Sequence, residues 1–253
     1  MNDNKNRIRP VVVVPARLGS NRVKAKNLRL LNGKPLIEYI LDTLKDTQFL
    51  TDIYINSESD YFKIIADRNF VNFYKRPPEL ATSKSLIDEY IYNFIINENA
   101  AYLAVVNPTS PFISSSHLDD AWSYFIENDF DTLLSCERIQ THCFFKGEPI
   151  NFSIDGKHPR SQDLEPVRAL NFAITIWDCK KYIDNYEQNG YGVYTGKLGF
   201  FDTEGIGNID IDYEEDFLFA EFVARYIKSG VEINAEYSDI VKNLIEQNIK
   251  IEN

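Results

Sequence analysis

Residues 11–14 are consecutive valines, the pattern of a strand buried on both faces of a parallel sheet. Apolar residues then recur at helical spacing, Leu36, Ile37, Ile40, Leu41 and Leu44, and predict an amphipathic helix over 35–44 with Pro35 in its first turn. Short apolar runs predict further strands at 53–56, 71–74, 102–106, 132–136 and 172–177. Helical spacing predicts helices over 86–96, 117–128 and 213–227, the second with Ser116 as its N-cap. Strand and helix alternate, so the expected fold class is α/β, a mostly parallel sheet flanked by helices. Ligands of such sheets gather at the carboxyl ends of the strands, where this chain carries polar, charged loops. Between 137 and 170 Gly147, Pro149, Gly156, Pro159 and Pro166 interrupt the pattern, which marks a long functional loop or a protruding arm. The expected organisation is one domain over 1–253 with an excursion at 137–170.

The 253 residues are 44% hydrophobic, enough to bury a sizeable core. A net charge of −11 repels nucleic acid and anionic membrane, so neither is an expected partner. Any phosphate site must then be a local gathering of Arg and Lys. Cys136, Cys143 and Cys179 are too few and too irregularly spaced for a disulfide framework or a cysteine zinc site, and read as reduced thiols. Residues 1–10 lack the apolar stretch of a signal peptide. No apolar run approaches the ~20 residues that span a bilayer, and a cytoplasmic location is expected.

Two stretches carry candidate chemistry. The first follows the opening strand: Ala16, Arg17, Gly19, Ser20, Arg22, Lys24, Lys26 and Asn27. Its cations suit a polyphosphate, and Gly19 and Ser20 let backbone N–H groups approach the phosphates. The order matches neither a Walker A loop nor a Rossmann fingerprint, and a solvated basic loop is the plainer alternative. The second is Asp210-Ile211-Asp212. In extended chain, residues two apart project to one side, so both carboxylates can face one Mg²⁺. Asp212 could equally cap the helix that begins at Tyr213.

Taken together with 32–37 (Asn-Gly-Lys-Pro-Leu-Ile), 76–81 (Arg-Pro-Pro-Glu-Leu-Ala) and 108–111 (Pro-Thr-Ser-Pro), these stretches resemble, in order and over residues 10–225, the acylneuraminate cytidylyltransferase (CMP-sialic acid synthetase) family. Enzymes activating legionaminic and pseudaminic acids belong to it, and CMP-3-deoxy-octulosonate synthetases are related. The resemblance implies a Rossmann-like nucleotide-diphospho-sugar transferase fold and CMP transfer from CTP to an acidic sugar. It implies that Arg17 binds the triphosphate, Lys26 sits at the α-phosphate, Asn27 and Arg76 contact the nucleoside, and Leu80 and Ala81 line the base pocket. Asp210 and Asp212 would hold Mg²⁺. Asn107, Thr109, Ser110 and Asn171 fall where the family contacts its acceptor, and His142, Arg160 and Arg168 are candidate partners for the acceptor carboxylate. The excursion corresponds to an arm that reaches across a homodimer.

The chain also departs from the family. Asn21 stands where a Lys is usual, Asn107 replaces Gln, Phe112-Ile113 replace Leu-Arg, Ser83 replaces Asp, and Phe172 replaces the Gly after Asn171. An unusual acceptor or a non-catalytic nucleotide-binding subunit would each account for such changes. An octulosonate or phosphonate acceptor and a GT-A glycosyltransferase are further alternatives; in the latter the Asp-x-Asp pair normally comes earlier in the chain. His117 and His158 are expected to be structural or surface residues.

Overall fold

The computed structural model describes residues 9–20, 22–48, 52–231 and 236–246; Asn21 and the first eight residues lie outside them. The elements run β1 (Val11–Pro15), β2 (Leu30–Leu31), β3 (Lys34–Pro35), α1 (Leu36–Lys45), β4 (Ile53–Ser57), α2 (Asp60–Asn69), β5 (Asn72–Lys75), α3 (Ile87–Glu98), β6 (Tyr102–Val106), α4 (Ser115–Glu127) and β7 (Thr132–Ile139). There follow β8 (Phe144–Phe145), β9 (Glu148–Pro149), β10 (Val167–Asp178), α5 (Cys179–Asn189), β11 (Leu198–Thr203), α6 (Glu214–Ser229) and α7 (Asp239–Glu246).

The main sheet has the order β11-β7-β10-β6-β1-β4-β5. β1 pairs in parallel with β4 and β6, β4 with β5 and β7 with β11, while β10 runs antiparallel between β6 and β7. The valine run of β1 is central and fully buried at Val12, Val13 and Val14, as its lack of polar alternation requires. Alternate residues of β1 feed opposite faces: Val12 and Val14 join a core with α1, α2 and α4, and Val13 packs with Phe94, Trp177 and Tyr182 of α3, β10 and α5. Helices therefore cover both faces, as expected for the α/β class.

Several local expectations need correction. Pro35 is the N-cap of α1, which starts at Leu36. The N-cap of α4 is Ser114, whose Oγ accepts from His117 N–H at 3.2 Å; Ser116 lies inside the helix. Tyr213, not Asp212, occupies the N-cap position of α6. There the Asp216 carboxylate accepts from the N–H groups of both Asp212 and Tyr213, at 2.9 and 2.8 Å, so Asp212 keeps its carboxylate for other work. α2, α5 and β11 were not anticipated. The excursion is also shorter than 137–170, because β7 runs to Ile139 and β10 starts at Val167, with Arg168 paired across the ladder with Arg138. What remains carries the β8–β9 hairpin and exposes Phe144, Phe145, Ile150 and Ile154. All three cysteines are free thiols. Among the described residues no helix is long and apolar enough to cross a membrane.

Candidate active site

The chain leaves β1 at its carboxyl end and enters the cationic loop. Ala16 N–H donates to Asn56 O at 3.0 Å, which continues the strand pairing one residue further. Leu18 N–H donates to the Glu58 carboxylate at 2.8 Å, so the end of β4 fixes where the loop turns. Ala25 takes a left-handed backbone, φ 50°, and starts a one-turn 3-10 helix over Lys26–Leu28. An alanine there is strained, and no glycine signals the turn in advance. It buries Asn27 and directs Lys26 towards the chain before α6.

A cleft of about 470 Å³ opens beside this loop. Ala16, Arg17, Ser20, Arg22, Lys26 and Asn27 line it. Arg76, Leu80, Ala81, Thr82, Ser83, Ser85 and Tyr90 also line it, and Asn107 and Thr109 form part of its wall after β6. Arg17 Nη1 donates to Thr82 O at 3.0 Å, linking the cationic loop to the stretch that follows Ala81. Asn27 Oδ1 is buried and has no hydrogen-bond partner.

The cationic loop and the late aspartates meet. Lys26 Nζ donates to Ile211 O and lies 3.2 Å from Asp212 Oδ1, while Arg22 Nη2 lies 2.9 Å from the same oxygen. The loop that follows β6 holds this segment in place, since Ile211 N–H donates to Thr109 O at 2.8 Å. Asp210 sits deeper. Burial raises its carboxyl pKa, the Asp212 charge adds to the rise, and a Thr109 hydrogen bond and Lys26 oppose it. Its Oδ1 is buried without a partner. An orphaned carboxylate oxygen next to a second carboxylate is a donor set that suits a hard divalent cation.

The acceptor-side candidates are more scattered: Asn107 and Thr109 line the cleft, whereas Ser110 and Asn171, like Asp210 and Asp212, are not among its lining residues. Ser110 is buried and turns the chain, its N–H donating to Asn107 O. Asn171 lies at an irregularity in β10, between Leu170 and Thr175, where Phe172 adopts φ 53°. The bulge is held from several directions. Asn107 Nδ2 donates to Phe172 O at 2.6 Å, Ser135 Oγ to Asn171 Oδ1 at 2.6 Å, and Asn171 Nδ2 to Thr203 Oγ1 at 2.7 Å. Thr203 in turn donates to Asn208, two residues before Asp210. Arg168 instead pairs with Asp202 at 2.9 Å. Arg160 pairs with Asp163 at 2.8 Å on an exposed turn, and His142 stacks on His158. None of these three lines the cleft, and neither does Gly19.

Sequence reasoning missed Asn56, Thr82, Ser85 and Tyr90, and singled out Ser83 only as a departure from the family's Asp. Thr82, Ser83 and Ser85 follow directly on the Arg76–Ala81 motif and were within its reach. Asn56 and Tyr90 carry no motif of their own.

A cationic cleft at the carboxyl ends of a mostly parallel sheet, with Arg22 and Lys26 of its lining in contact with Asp212 of an aspartate pair, defines a nucleotidyltransferase-type α/β protein. Solved structures agree on the fold. A CMP:2-keto-3-deoxy-manno-octonic acid synthetase complexed with CTP matches 87% of this chain and 99% of its own, with a TM-score of 0.66 at 13% identity. A 4-diphosphocytidyl-2C-methyl-D-erythritol synthase from Anaerococcus prevotii matches with a TM-score of 0.61 at 13% identity, over 86% of this chain and 96% of that one. The cytidylyltransferase family model matches residues 11–165, and the chain belongs to that family. Among curated relatives, an N-acylneuraminate cytidylyltransferase of Streptococcus agalactiae serotype V is 26% identical over 91% of this chain and 58% of the relative. The chain thus spans little more than half the length of that relative. A 3-deoxy-manno-octulosonate cytidylyltransferase 2 of Hydrogenovibrio crunogenus is 23% identical over 83% of this chain and 85% of the relative.

Proposed function

We propose that the cleft binds CTP and that the protein transfers CMP to an acidic sugar, releasing pyrophosphate. The observation that carries this reading is the contact of Lys26, on the cationic loop, with the segment Ile211–Asp212 at the edge of the cleft. It gives one place where a triphosphate would meet both cations and carboxylates. Arg17, Arg22 and the N–H groups near Gly19 and Ser20 would hold the phosphates, and Lys26 would neutralise charge at the α-phosphate. Asn27 and Arg76, with Ala16, Leu80 and Ala81, would hold the nucleoside. The acceptor hydroxyl would attack the α-phosphorus in line with the departing pyrophosphate. Phosphoryl-group transfer of this kind relies mainly on alignment and charge neutralisation, which is what the cations of this loop would supply.

Asp210 and Asp212 would hold Mg²⁺, which screens the triphosphate charge when bound. Among the described residues no cluster of three or more His, Cys, Asp or Glu is placed to hold a metal, so the rest of its shell would come from substrate and water. The acidic acceptor would lie towards Asn107, Thr109, Ser110 and Asn171, on the side where Asn107 of the cleft wall bonds to the β10 bulge. The names of the relatives, an N-acylneuraminate and an octulosonate transferase, support a sugar acid as acceptor. Its carboxylate needs a cation; Arg168, Arg160 and His142 are the candidates, and all lie on the excursion or its root. The exposed Phe144, Phe145, Ile150 and Ile154 suit an arm that packs on a second copy in a homodimer.

The test is pyrophosphate release with CTP, UTP and ATP against a panel of sialic, legionaminic, pseudaminic and octulosonic acids. Release with CTP and one of these acids is expected. CTP binding without release across the panel would overturn the transferase reading in favour of a nucleotide-binding subunit.

A further inference from the structure

Arg76 is only 4% exposed, yet no carboxylate forms an ion pair with it among the described residues. A buried guanidinium ordinarily has a carboxylate partner, because an isolated buried charge is costly. Here the groups that hold it are uncharged. Nε donates to Asn56 Oδ1 at 2.7 Å and Nη2 to Asn56 O at 2.8 Å. The Tyr90 ring lies under the guanidinium carbon, 4.2 Å from centroid to Cζ. Arg76 and Tyr90 both line the cleft. Asn56 is fully buried on β4, a position where aspartate would hold the same guanidinium with a full counter-charge. Burial lowers the Arg76 pKa, with Arg17 pushing the same way, while Tyr90 and Glu58 oppose the shift; the nearby charges do not cancel the cost of burial.

We infer that Asn56 and Tyr90 are positioning residues that clamp Arg76 with neutral groups, so that its charge stays available to the nucleotide in the cleft. The inference rests on the nucleotide reading of the cleft and adds how that reading is built. An amide oxygen, a backbone carbonyl and a π face fix direction without neutralising charge. The nucleotide then meets a guanidinium that no carboxylate has neutralised, and the desolvation cost already borne by the fold goes into binding.

The clamp separates geometry from charge, and two substitutions separate them in the test. Tyr90→Leu removes the π face but leaves a buried apolar side chain. The KM for CTP is expected to rise roughly fivefold to thirtyfold, the range of a desolvated cation–π contact, with kcat at saturating CTP within about twofold of wild type and with rescue by Tyr90→Phe. Asn56→Asp keeps an oxygen for Nε but adds a counter-charge; it is expected to weaken CTP binding by at least tenfold while the melting temperature stays level or rises. Calorimetric CTP titration, pyrophosphate-release kinetics and thermal melts are run on all three variants and wild type. The inference is overturned if Asn56→Asp binds CTP as tightly as wild type, or if Tyr90→Leu and Tyr90→Phe lose affinity equally. It is also overturned if Tyr90→Leu lowers kcat as much as it raises KM. Failure of wild type itself to bind CTP would instead overturn the underlying nucleotide reading.

Discussion

Asp210→Asn should make the metal-free protein more stable and inactive at once. The wild-type carboxylate has an oxygen without a partner, and its pKa is raised, chiefly by burial and then by Asp212. A raised carboxyl pKa means that the folded chain holds its proton at pH values where the unfolded chain has released it. No penalty exists below the unfolded value of about 3.9; it grows as pH rises through the folded pKa and is complete near neutrality. Carboxylate and amide alike leave that buried position without a partner, so the difference between them is the added cost of leaving it charged, about 1–3 kcal/mol. Asp210 is only partly buried, so the lower part of that range applies, and water screens the rest. At about 2–4 °C per kcal/mol for a chain of this size, Asp210→Asn should melt a few degrees above wild type near neutrality in chelator. Near pH 4 the difference should vanish. Magnesium at about ten times its dissociation constant should add about 1.4 kcal/mol to wild type and nothing to the variant. The assay is a set of thermal melts at both pH values, with chelator and with magnesium. A variant that melts below wild type near neutrality without metal, or that gains equally from magnesium, would refute the reasoning.

Further outcomes follow from the same geometry. Lys26→Met should lower kcat by roughly 10²–10³, the usual loss for a donor at developing negative charge, with CTP still bound by calorimetry; near-normal turnover would remove Lys26 from its assigned role. Asn171→Ala loses its hydrogen bonds to Ser135 and Thr203, and should raise the KM for the acceptor more than that for CTP. Steady-state kinetics with each substrate varied in turn would check it, and an equal rise in both would count against the acceptor placement. Gly192→Ala places a β-carbon against the buried Tyr182 ring, and should cost about 1–3 kcal/mol through overpacking. An unchanged thermal melt would show that the ring gives way.

The strongest signals in the sequence concerned periodicity. The valines of β1 and the helical spacing of α1 and α6 announced their elements because burial enforces those patterns, and the alternation of elements carried the α/β class. α2 and α5 escaped because their charged and polar residues, such as Asp60, Lys63 and Arg68 or Lys180, Lys181 and Asp184, dilute the apolar stripe. The sequence left Asp212 with two possible roles, metal ligand or cap of α6; the fold removes the second, because the Asp216 carboxylate is the one that turns back on the backbone. In the cleft, residues belonging to contiguous motifs were legible. Tyr90 and Asn56 were not, since their role depends on which helix face and which strand end meet Arg76. Arg160 and Arg168 looked like free cations in the sequence, but each has its own aspartate in the fold.

The hydrogen-bond chain from Ser135 through Asn171 and Thr203 to Asn208 ties the antiparallel strand to the segment bearing the aspartate pair. On the proposed function, sugar recognition and cation placement would share one mechanical support. A change that reshapes one end disturbs the other, so substitutions at the two ends should combine non-additively. New acceptor preference along this lineage would then arise more readily through the side chains that hang from the scaffold, such as Phe172, than through the amides that hold it together.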